Sequence, residues 1–463
     1  MAKPVLTSQS EDFPRWYQDV INKAQMAENG PARGTMIIKP WGYAVWEHIQ
    51  SELDTRIKAT GAENAYFPLF IPMSFFEREA DHVEGFSPEL AVVTHGGGSE
   101  LGEPLAVRPT SETVIGDAMA RWIQSHRDLP LRLNQWANVV RWELRPRLFL
   151  RTSEFLWQEG HTAHATADEA QDETLRMHSV YDDLMTSVLA IPAVPGAKTE
   201  AERFAGADVT YTLEALTRDG KSLQMGTSHN LGENFSKAFE IMFADDTGER
   251  QFCHTTSWGV STRVVGALIM THGDDRGLRL PPAVAPAQVV VLAIRDEAVD
   301  AARKLTEELT ALGVRVRLDD DLNTSFGRRA VDWELKGVPV RVEIGPRDIE
   351  NGVVTYARRD LDEKATLPLD GAAPALAGLL DEIQQSLYDQ ALSRRDEMTT
   401  DARTIGEIDG PGFFCIPWDA VGVEGEAALG ERGFSVRCLV TADGSVPTPV
   451  DDSGLIAYVA KSY

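Results

Sequence analysis

Arginine, glutamate and aromatic residues are interleaved in VVRWELRPRLFLRTSEFLWQEGH, the stretch from Val139 to His161. VVRWEL and FLRTSEFLWQEGH are rich in Val, Phe, Trp and Leu, which predicts two strands joined by a loop at Arg-Pro-Arg. Strand side chains alternate between two faces, so Arg141 and Glu143 should share one face. The second strand should place on one face Arg151, Phe155, Trp157, Glu159 and His161.

Such a hairpin could be an exposed surface with solvated charges. The mixed face argues against this, because a solvated face rarely sets Phe and Trp in line with Arg, Glu and His. An apolar wall with a few placed polar groups is typical of a ligand pocket. The pattern therefore favours a pocket, and guanidinium groups in it would suit carboxylate or phosphate anions.

The whole chain sets limits on the elements that could build this pocket. Its 463 residues suffice for about three domains, and 43% hydrophobic with 25% charged residues is an ordinary globular balance. No apolar run approaches the ~18 residues of a membrane span, and the first residues lack the apolar core of a signal peptide. Three cysteines give no disulfide framework, so we expect a cytoplasmic protein without a membrane partner. The net charge of −26 disfavours nucleic-acid binding, although a local basic face would suffice for it.

Composition divides the chain into parts. RGLRLPPAVAPAQ, from Arg276 to Gln288, is rich in Pro and Ala and is predicted to be a linker. In the mixed region before it, YAVWEHIQSELDTRIKATG is predicted to be a helix ending at Gly61, followed by a strand, AYFPLFIP. After the linker, strands alternate with helices, which predicts a compact α/β domain. A long helix then leads to a Gly-rich tail from Thr399.

Five stretches carry the chemistry: the opening hairpin, AVRPTSETV (106–114), LQMGTSHNLG (223–232), SWGVSTRVVGALIMTHGD (257–274) and LKGVPVRVEIGPRD (335–348). Together they resemble the prolyl-tRNA synthetase family, of the archaeal/eukaryotic-like type. The hairpin resembles the second signature motif of class II aminoacyl-tRNA synthetases, and GVSTRVVGALI resembles the third. The helix before Gly61 and AYFPLFIP resemble the first, the dimer motif. The resemblance covers nearly the whole chain and is weakest in the tail.

This resemblance implies an α+β fold in three domains. Residues 1–280 would form a class II catalytic domain, an antiparallel sheet of six or more strands flanked by helices. Residues 285–385 would form an α/β anticodon-binding domain. Residues 399–463 would form a small α+β domain that resembles the zinc-binding domain of the family.

The implied reaction activates proline with ATP and then transfers it to tRNA(Pro). A carboxylate must attack the α-phosphate of ATP, so two anions meet, and guanidinium groups can offset their repulsion. Arg141 and Arg263 are the implied catalytic residues, and Phe155 with Arg263 would enclose the adenine ring. A buried structural Arg141–Glu143 ion pair is the alternative. The implied ATP-binding residues are Arg141, Glu143, Arg151, Phe155, Gln224, Thr227, Ser261 and Arg263, with Mg²⁺ bound to ATP.

Proline needs an acceptor for its secondary ammonium and apolar walls for its ring. The resemblance implies that it is bound by Thr110, Glu112, Arg141, Trp157, Glu159, His161, His229 and Phe86. Two simpler interpretations stay open. Thr110 or Ser111 could cap a helix that Glu112 begins, and either histidine could be an ordinary core residue.

The resemblance also implies an anticodon contact surface in LKGVPVRVEIGPRD. Lys336, Glu343 and Arg347 would lie near the end of a strand, where Arg and Glu can bind the base edges of single-stranded RNA. An ion pair at the edge of a strand is the alternative for each of them.

The chain also departs from the family pattern. The family's final domain often holds zinc with four cysteines, but this tail has only Cys415 and Cys438, so we expect no structural zinc and no other metal site. The terminal Tyr463 resembles the family's last residue, so trimming it should harm activity. About 95 residues separate His161 from Ser257, which leaves no room for an editing domain of typical size, ~100 residues or more. We therefore expect a homodimer that does not edit in cis.

Three other functions compete with this one. A catalytically silent relative would be expected to lose the ATP-binding arginines, yet Arg141, Arg151 and Arg263 are all present. A synthetase for threonine or glycine is disfavoured by the predicted Trp157 to His161 pocket, and threonine also by missing zinc ligands. An ATP-dependent ligase that does not use RNA is weakly disfavoured by the separate α/β domain.

Overall fold

A computed structural model describes residues 5–80, 90–361, 363–448 and 453–463, with the backbone alone at 77–80. Phe86, predicted to line the proline pocket, lies outside the described residues. No helix in the described ranges is long and apolar enough to cross a membrane.

The first part of the chain builds a large sheet with helices packed around it. Its helices are α1 (Phe13–Lys23), α2 (Pro40–Ala59), α3 (Met73–Ala80), α4 (Glu112–Trp122), α5 (Ala167–Asp183), α6 (Asn234–Phe239) and α7 (Arg263–His272). Its strands are β1 (Ala27–Asn29), β2 (Met36–Ile38), β3 (Glu63–Asn64), β4 (Phe70–Pro72), β5 (Ala91–Gly96), β6 (Ser99–Val107), β7 (Leu131–Val140), β8 (Glu154–His164), β9 (Val194–Ala197), β10 (Val209–Leu216), β11 (Ser222–Gly232), β12 (Met242–Ala244), β13 (Arg250–Phe252) and β14 (His254–Ser261).

The antiparallel order β9-β10-β11-β14-β8-β7 forms the centre of this sheet, which confirms the predicted fold class. Leucine, methionine and tyrosine side chains of α5 and α7 cover one face and form a core with α1 and α2. Trp258 lies in that core beneath Gly160, where any Cβ would come within 2.1 Å of its ring. The glycine is therefore needed for the close approach of β8 to this tryptophan.

The predicted hairpin is present, but its boundaries were wrong. β7 runs from Leu131 to Val140 and β8 begins only at Glu154, so Arg141 and Glu143 follow the strand rather than belonging to it. Arg151 lies in the connecting loop, in an isolated bridge with Arg147, and not on the strand face with Phe155. Pro146, which lies between two arginines, and the polar residues from Arg151 to Ser153 favour a loop over continued strand pairing.

The region after the large sheet forms a second, five-stranded sheet. Its elements are β15 (Val289–Ala293), α8 (Val299–Ala311), β16 (Val316–Asp319), α9 (Phe326–Leu335), β17 (Val340–Ile344), α10 (Pro346–Glu350), β18 (Val353–Arg358) and β19 (Lys364–Pro368), with the long α11 (Ala372–Glu397) after them. The strand order is β16-β15-β17-β18-β19, and the first three strands are parallel.

The predicted linker is not an exposed spacer. Leu278, Leu280, Val284 and Ala285 are buried in the core of the large sheet, at 3% exposure or less. These apolar residues join the two sheets through a packed connection, which composition alone did not distinguish from a flexible linker.

The tail extends the large sheet. Its strands are β20 (Thr399–Asp401), β21 (Phe413–Pro417), β22 (Ser435–Val440) and β23 (Ile456–Ala460), and α12 (Gly422–Glu431) packs against them. We call residues 399–463 the C-terminal unit. Its strand β22 pairs with β9 at Leu439 and Ala197, so the described strands form one eleven-stranded sheet from β20 to β3. This continuity could not be predicted from the sequence, because strands so far apart in the chain leave no local pattern that shows their pairing.

Candidate functional site

Two adjoining cavities open on the large sheet, on the face opposite helices α5 and α7. The first has a volume of about 270 Å³, contains Glu112 and Glu159 and is called the carboxylate cavity here. The second has a volume of about 380 Å³ and is called the arginine cavity, after Arg151 and its neighbours. Both cavities are lined by Arg141, Phe155, Ser261 and Arg263.

Strand register builds the floor of the carboxylate cavity. His161 of β8 lies opposite Ser257 of β14, and Ser257 lies opposite His229 of β11. One step along, Glu159 faces Gly259 and Gly259 faces Thr227. Directly opposite residues share a face of the sheet, so these side chains line the same cavity.

Arg141 lies at the end of β7, on the wall between the cavities. Its Nε donates to the carbonyl oxygen of Pro109 at 3.0 Å, and its guanidinium lies over the rings of Phe155 and Trp157 at 5.7 and 5.4 Å. Burial lowers the pKa of Arg141, and the carboxylates of Glu112 and Glu159 oppose that shift. Arg141 does not pair with Glu143, whose carboxylate instead lies 3.5 Å from the guanidinium of Arg151.

Arg263 is the first residue of helix α7 and, like Arg141, lies in the wall that the two cavities share. Its Nε donates to the carbonyl oxygen of Leu150 at 3.3 Å. Burial, together with the charges of Arg141 and Arg151, lowers the pKa of Arg263 to about 10. A pKa lowered by like charges means that the three guanidinium groups repel one another, so a bound anion would relieve that repulsion.

A buried acid cluster lies in the carboxylate cavity, formed by Glu112, Glu159 and His161. Nε2 of His161 is 3.1 Å from Oε2 of Glu159. Burial alone would raise the pKa of Glu159, but hydrogen bonds and the charge of His161 lower it. Burial alone would lower the pKa of His161, but the two carboxylates raise it. With His161 protonated and both glutamates ionised, the cluster carries two negative charges and one positive, a net charge of −1.

Glu112 is the unbalanced member of this cluster. Burial and the charge of Glu159 raise its pKa, although His161 opposes the shift. The hydroxyl of Thr110 donates to its carboxylate. Arg141 also opposes the shift, and a further cation beside Glu112 would favour its ionised form.

The alternative in which Thr110 or Ser111 caps a helix that Glu112 begins is right about the start of α4. It is wrong about the side chains, because Ser111 stands at the N-cap without a side-chain cap.

His229 differs from His161. Burial and the charge of His161 lower its pKa to about 3, so it is neutral. Its Nδ1 is 2.9 Å from the hydroxyl of Thr210, and its ring packs at 4.7 Å on Phe204. Neutral His229 and Phe204 give one side of the cavity an apolar wall.

The other predicted site residues divide between the two cavities. Glu143 and Arg151 line the arginine cavity, whereas Gln224 and Thr227 line the carboxylate cavity. The lining residues that sequence reasoning missed include Lys198, Glu202, Phe204 and Ser257. Ser257 belongs to a stretch that was singled out, and its buried hydroxyl has no hydrogen-bond partner among the described residues. The other three precede β10 in a segment without a recognisable pattern.

The three predicted anticodon residues are not brought together as one set. The carboxylate of Glu343 is held by Arg341 at 3.1 Å and Lys364 at 2.8 Å, which is the ion-pair alternative. Lys336 ends α9, and its ammonium lies over the rings of Trp41 and Trp333 at 5.4 and 4.9 Å.

Arg347 lies on the short helix α10 and is exposed. A third cavity, of about 250 Å³, lies near the partners of Glu343 and is lined by residues that include Trp333, Arg341 and Lys364. Local sequence did not indicate it, because its residues come from α9, β17, β18, β19 and the loops around them.

Comparison with known proteins agrees with this geometry. Residues 93–272 match the model of the tRNA synthetase class II core domain (G, H, P, S and T), and residues 288–379 match that of the anticodon binding domain. The chain is 59% identical to a proline–tRNA ligase 2 of Streptomyces avermitilis, over 100% of both chains. The chain belongs to the proline–tRNA ligase family.

Other members extend the comparison. A proline–tRNA ligase of Acetoanaerobium sticklandii is 49% identical over 99% of this chain and 98% of its own. The crystal structure of prolyl-tRNA synthetase from Cryptosporidium parvum, complexed with halofuginone and AMPPNP, superposes with a TM-score of 0.92. It is 39% identical and covers 99% of both chains. The family and the class II fold inferred from the sequence are thus confirmed, whereas the subtype is not decided by relatives that include bacterial proteins.

Proposed function

We propose that the chain activates proline with ATP and transfers it to tRNA(Pro). The observation that carries this proposal is the shared wall of Arg141 and Arg263, which separates a cavity with an acid cluster from a cavity lined by arginines. An amino acid needs a negative group for its ammonium, a nucleotide needs cations for its phosphates, and the reacting carboxylate and α-phosphate must meet between them.

Proline fits the carboxylate cavity by charge. With Glu112 ionised, the acid cluster would carry a net charge of −1, which matches one ammonium, and Glu112 with Thr110 would accept its two N–H groups. Trp157 and Phe204 provide apolar walls for the ring. The ammonium would hold Glu112 ionised, which offsets the cost of burying a second carboxylate beside Glu159.

Activation then follows from position and charge. Arg141, fixed by Pro109 and the two aromatic rings, would hold the carboxylate of proline against the α-phosphate. The carboxylate oxygen attacks phosphorus, the bond to the bridging oxygen breaks, and pyrophosphate leaves with the electron pair. Arg141 and Arg263 stabilise the extra negative charge of the transition state. The 3′-terminal hydroxyl of tRNA then attacks the carbonyl carbon, and AMP leaves.

ATP fits the arginine cavity. Phe155 and Arg263 both line it and would enclose the adenine ring, with Ser261 beside them. Among the described lining residues Glu143 is the carboxylate, and it could hold Mg²⁺ together with phosphate oxygens. Magnesium would neutralise the phosphates of the substrate complex. Gln224 and Thr227 would contact the α-phosphate side of ATP, since they line the neighbouring cavity.

We further propose that the enzyme has the archaeal/eukaryotic-like architecture and lacks editing in cis. The segment between His161 and Ser257 folds into α5, β9 to β13 and α6, all of them parts of the catalytic region. The full-length match to the Cryptosporidium parvum structure supports the same architecture. Purified enzyme should therefore leave Ala-tRNA(Pro) intact, and hydrolysis of that ester would contradict this.

We propose that the C-terminal unit holds no structural zinc. Cys415 and Cys438 lie opposite Tyr458 on its two sides, so a whole strand separates them. Within the described ranges, the His, Cys, Asp and Glu side chains of this unit form no group able to bind a metal. A stoichiometric zinc content in purified protein would overturn this.

We also propose a cytoplasmic homodimer. Large apolar side chains near β4 are exposed: Tyr66 at 74%, Phe70 at 48% and Trp122 at 51%. Trp122 lies close to this segment, since its ring is 6.0 Å from that of Phe67. Such a patch is typical of a protein interface. Sedimentation equilibrium should give twice the chain mass.

The second sheet would bind the anticodon. Trp333 can stack on a base, and Arg341 and Lys364 can donate to base edges or phosphates in the cavity that they line. Arg347 would contact RNA from the exposed helix α10. Glu343 would act by orienting Arg341 and Lys364, whose side chains it holds.

ATP–pyrophosphate exchange with each of the twenty amino acids, without tRNA, tests the proposed function. Exchange that depends on proline and is lost in Arg141→Ala would support it. Exchange with another amino acid would keep the reaction and overturn the specificity. No exchange with any amino acid would favour a silent binding protein.

A further inference from the structure

A β-bulge in the C-terminal unit directs one arginine into the catalytic region. The pairing of β22 with β23 shifts register between Val436 and Cys438, so Arg437 is the extra residue. Bulges commonly change the direction of a side chain. Arg437 is only 7% exposed, and its guanidinium reaches Glu214 of β10.

Arg437, Glu214 and Lys198 form a buried ion triad. One carboxylate oxygen of Glu214 accepts from Lys198 at 2.9 Å, and the other accepts from Nη2 and Nε of Arg437 at 3.0 and 3.1 Å. Nζ of Lys198 also donates to the backbone oxygen of Arg437 at 2.7 Å. Two cations and one carboxylate give the triad a net charge of +1.

The triad belongs to the substrate site. Lys198 lines the carboxylate cavity and begins the wall segment, defined here as Lys198–Phe204. The C-terminal unit contacts this segment a second time, because the hydroxyl of Thr199 donates to Glu426 of α12 at 2.6 Å. The charges of Glu214 and Arg437 also act on Arg263 in the shared wall.

Stability alone does not account for the triad. Buried ion pairs are often replaced by apolar residues at no cost, and an uncompensated buried positive charge is unfavourable. The phosphates of ATP and the carboxylate of proline would supply the missing negative charge. A net positive charge behind the wall is therefore useful when these anions are bound.

We propose that Arg437 is a positioning residue for amino-acid activation: through Glu214 it fixes Lys198 as a cation in the cavity wall. The C-terminal unit thereby completes the site. This inference rests on the proposed function, and it adds a residue outside the catalytic domain to the reaction.

Arg437→Met, measured by proline-dependent pyrophosphate exchange, tests the inference. Without Arg437, Glu214 and Lys198 would form a pair with no net charge. We therefore expect the KM for proline to rise about tenfold, which is the typical effect of losing one charged hydrogen bond, with a smaller change in kcat. Arg437→Lys keeps the charge and should recover most of the loss. Lys198→Met, in the catalytic region, should raise KM similarly while leaving the C-terminal unit intact.

Arg432→Met is the matched control. Arg432 donates to the backbone oxygens of Ile405 and Ile408 inside the C-terminal unit and does not contact the triad. It should lower Tm but keep the KM for proline. Exchange by Arg437→Met or Lys198→Met within twofold of wild type would overturn the inference, as would an equal rise in KM for Arg432→Met. Absence of exchange in the wild type would instead overturn the proposed function.

Discussion

Glu112→Gln separates what the acid cluster does for binding from what it does for stability. Glu112 is 9% exposed, accepts from Thr110 and has its pKa raised by burial and by Glu159. Gln has the same shape and can still accept from Thr110. Only the charge that would meet the ammonium of proline is removed.

The magnitude follows from the hydrogen bond that changes. A bond to a charged group contributes about 1.5–3 kcal/mol and a neutral one about 0.5–1.5 kcal/mol, so the loss is roughly 1–2 kcal/mol. Since 1.4 kcal/mol is a factor of ten, the KM for proline should rise about 5- to 30-fold. The KM for ATP should change little, because Glu112 does not line the arginine cavity.

Stability should move the other way. A carboxyl whose pKa is raised on folding favours the protonated form, so its ionisation lowers stability as pH rises through the folded pKa. Glu112→Gln removes this cost, and Tm at neutral pH should be equal or higher. Proline binding by wild type needs the ionised form, so the KM for proline should rise as pH falls towards the pKa of Glu112. The variant should lose this pH dependence.

Pyrophosphate exchange across proline concentration and pH, with thermal unfolding in parallel, measures these effects. Glu159→Gln is the control, since it leaves buried His161 without its partner and should cost about 3 kcal/mol of stability. A Glu112→Gln enzyme with unchanged KM for proline and the wild-type pH profile would refute the assignment of the ammonium site.

Three further predictions concern other parts of the molecule. Arg347→Ala should lower kcat/KM for tRNA(Pro) in aminoacylation by a factor equivalent to about 1–3 kcal/mol of binding free energy, while proline-dependent exchange stays unchanged. An equal loss in both assays would contradict an anticodon role. Gly160→Ala should lower the free energy of unfolding by at least about 1–3 kcal/mol in denaturant titrations, because its Cβ would overlap the ring of Trp258; wild-type stability would show that the core can yield. Removal of Tyr463 breaks its hydroxyl's bond to Asp219 at 2.6 Å and should reduce exchange activity, and full activity would make the terminus dispensable.

The sequence was sufficient where function depends on residues close together in the chain. Phe155, Trp157, Glu159 and His161 have the spacing of one strand face, and β8 places them all on the cavity side. Their partners on β14 and β11 could not be derived from spacing, because register between distant strands depends on the whole sheet. Ser257 therefore was not predicted to line the cavity, although it begins the 257–274 motif.

Tertiary partners were the other information that the local sequence lacked. Glu343 was predicted to contact RNA, and the structure shows its carboxylate paired with Arg341 and with Lys364, which lies on a different strand. The hydrophobic residues between the prolines of 276–288 were equally consistent with a mobile linker and with a buried connection. Both decisions depend on tertiary partners that leave no trace in the local pattern.

Strand pairing and apolar packing attach the C-terminal unit to the rest of the chain. Pairing of β22 with β9 continues one sheet across the boundary, and Phe413, Cys438 and Val440 pack with Val194 and Leu216 in a shared apolar cluster. Burial of such side chains contributes about 1.5–3 kcal/mol each, which is comparable in sum to what a structural metal adds. Cys438 thus serves as a small buried hydrophobe, and at the same junction Arg437 pairs with Glu214, the partner of the cavity-lining Lys198. The attachment of this unit and the contribution that we propose for it therefore have one structural origin.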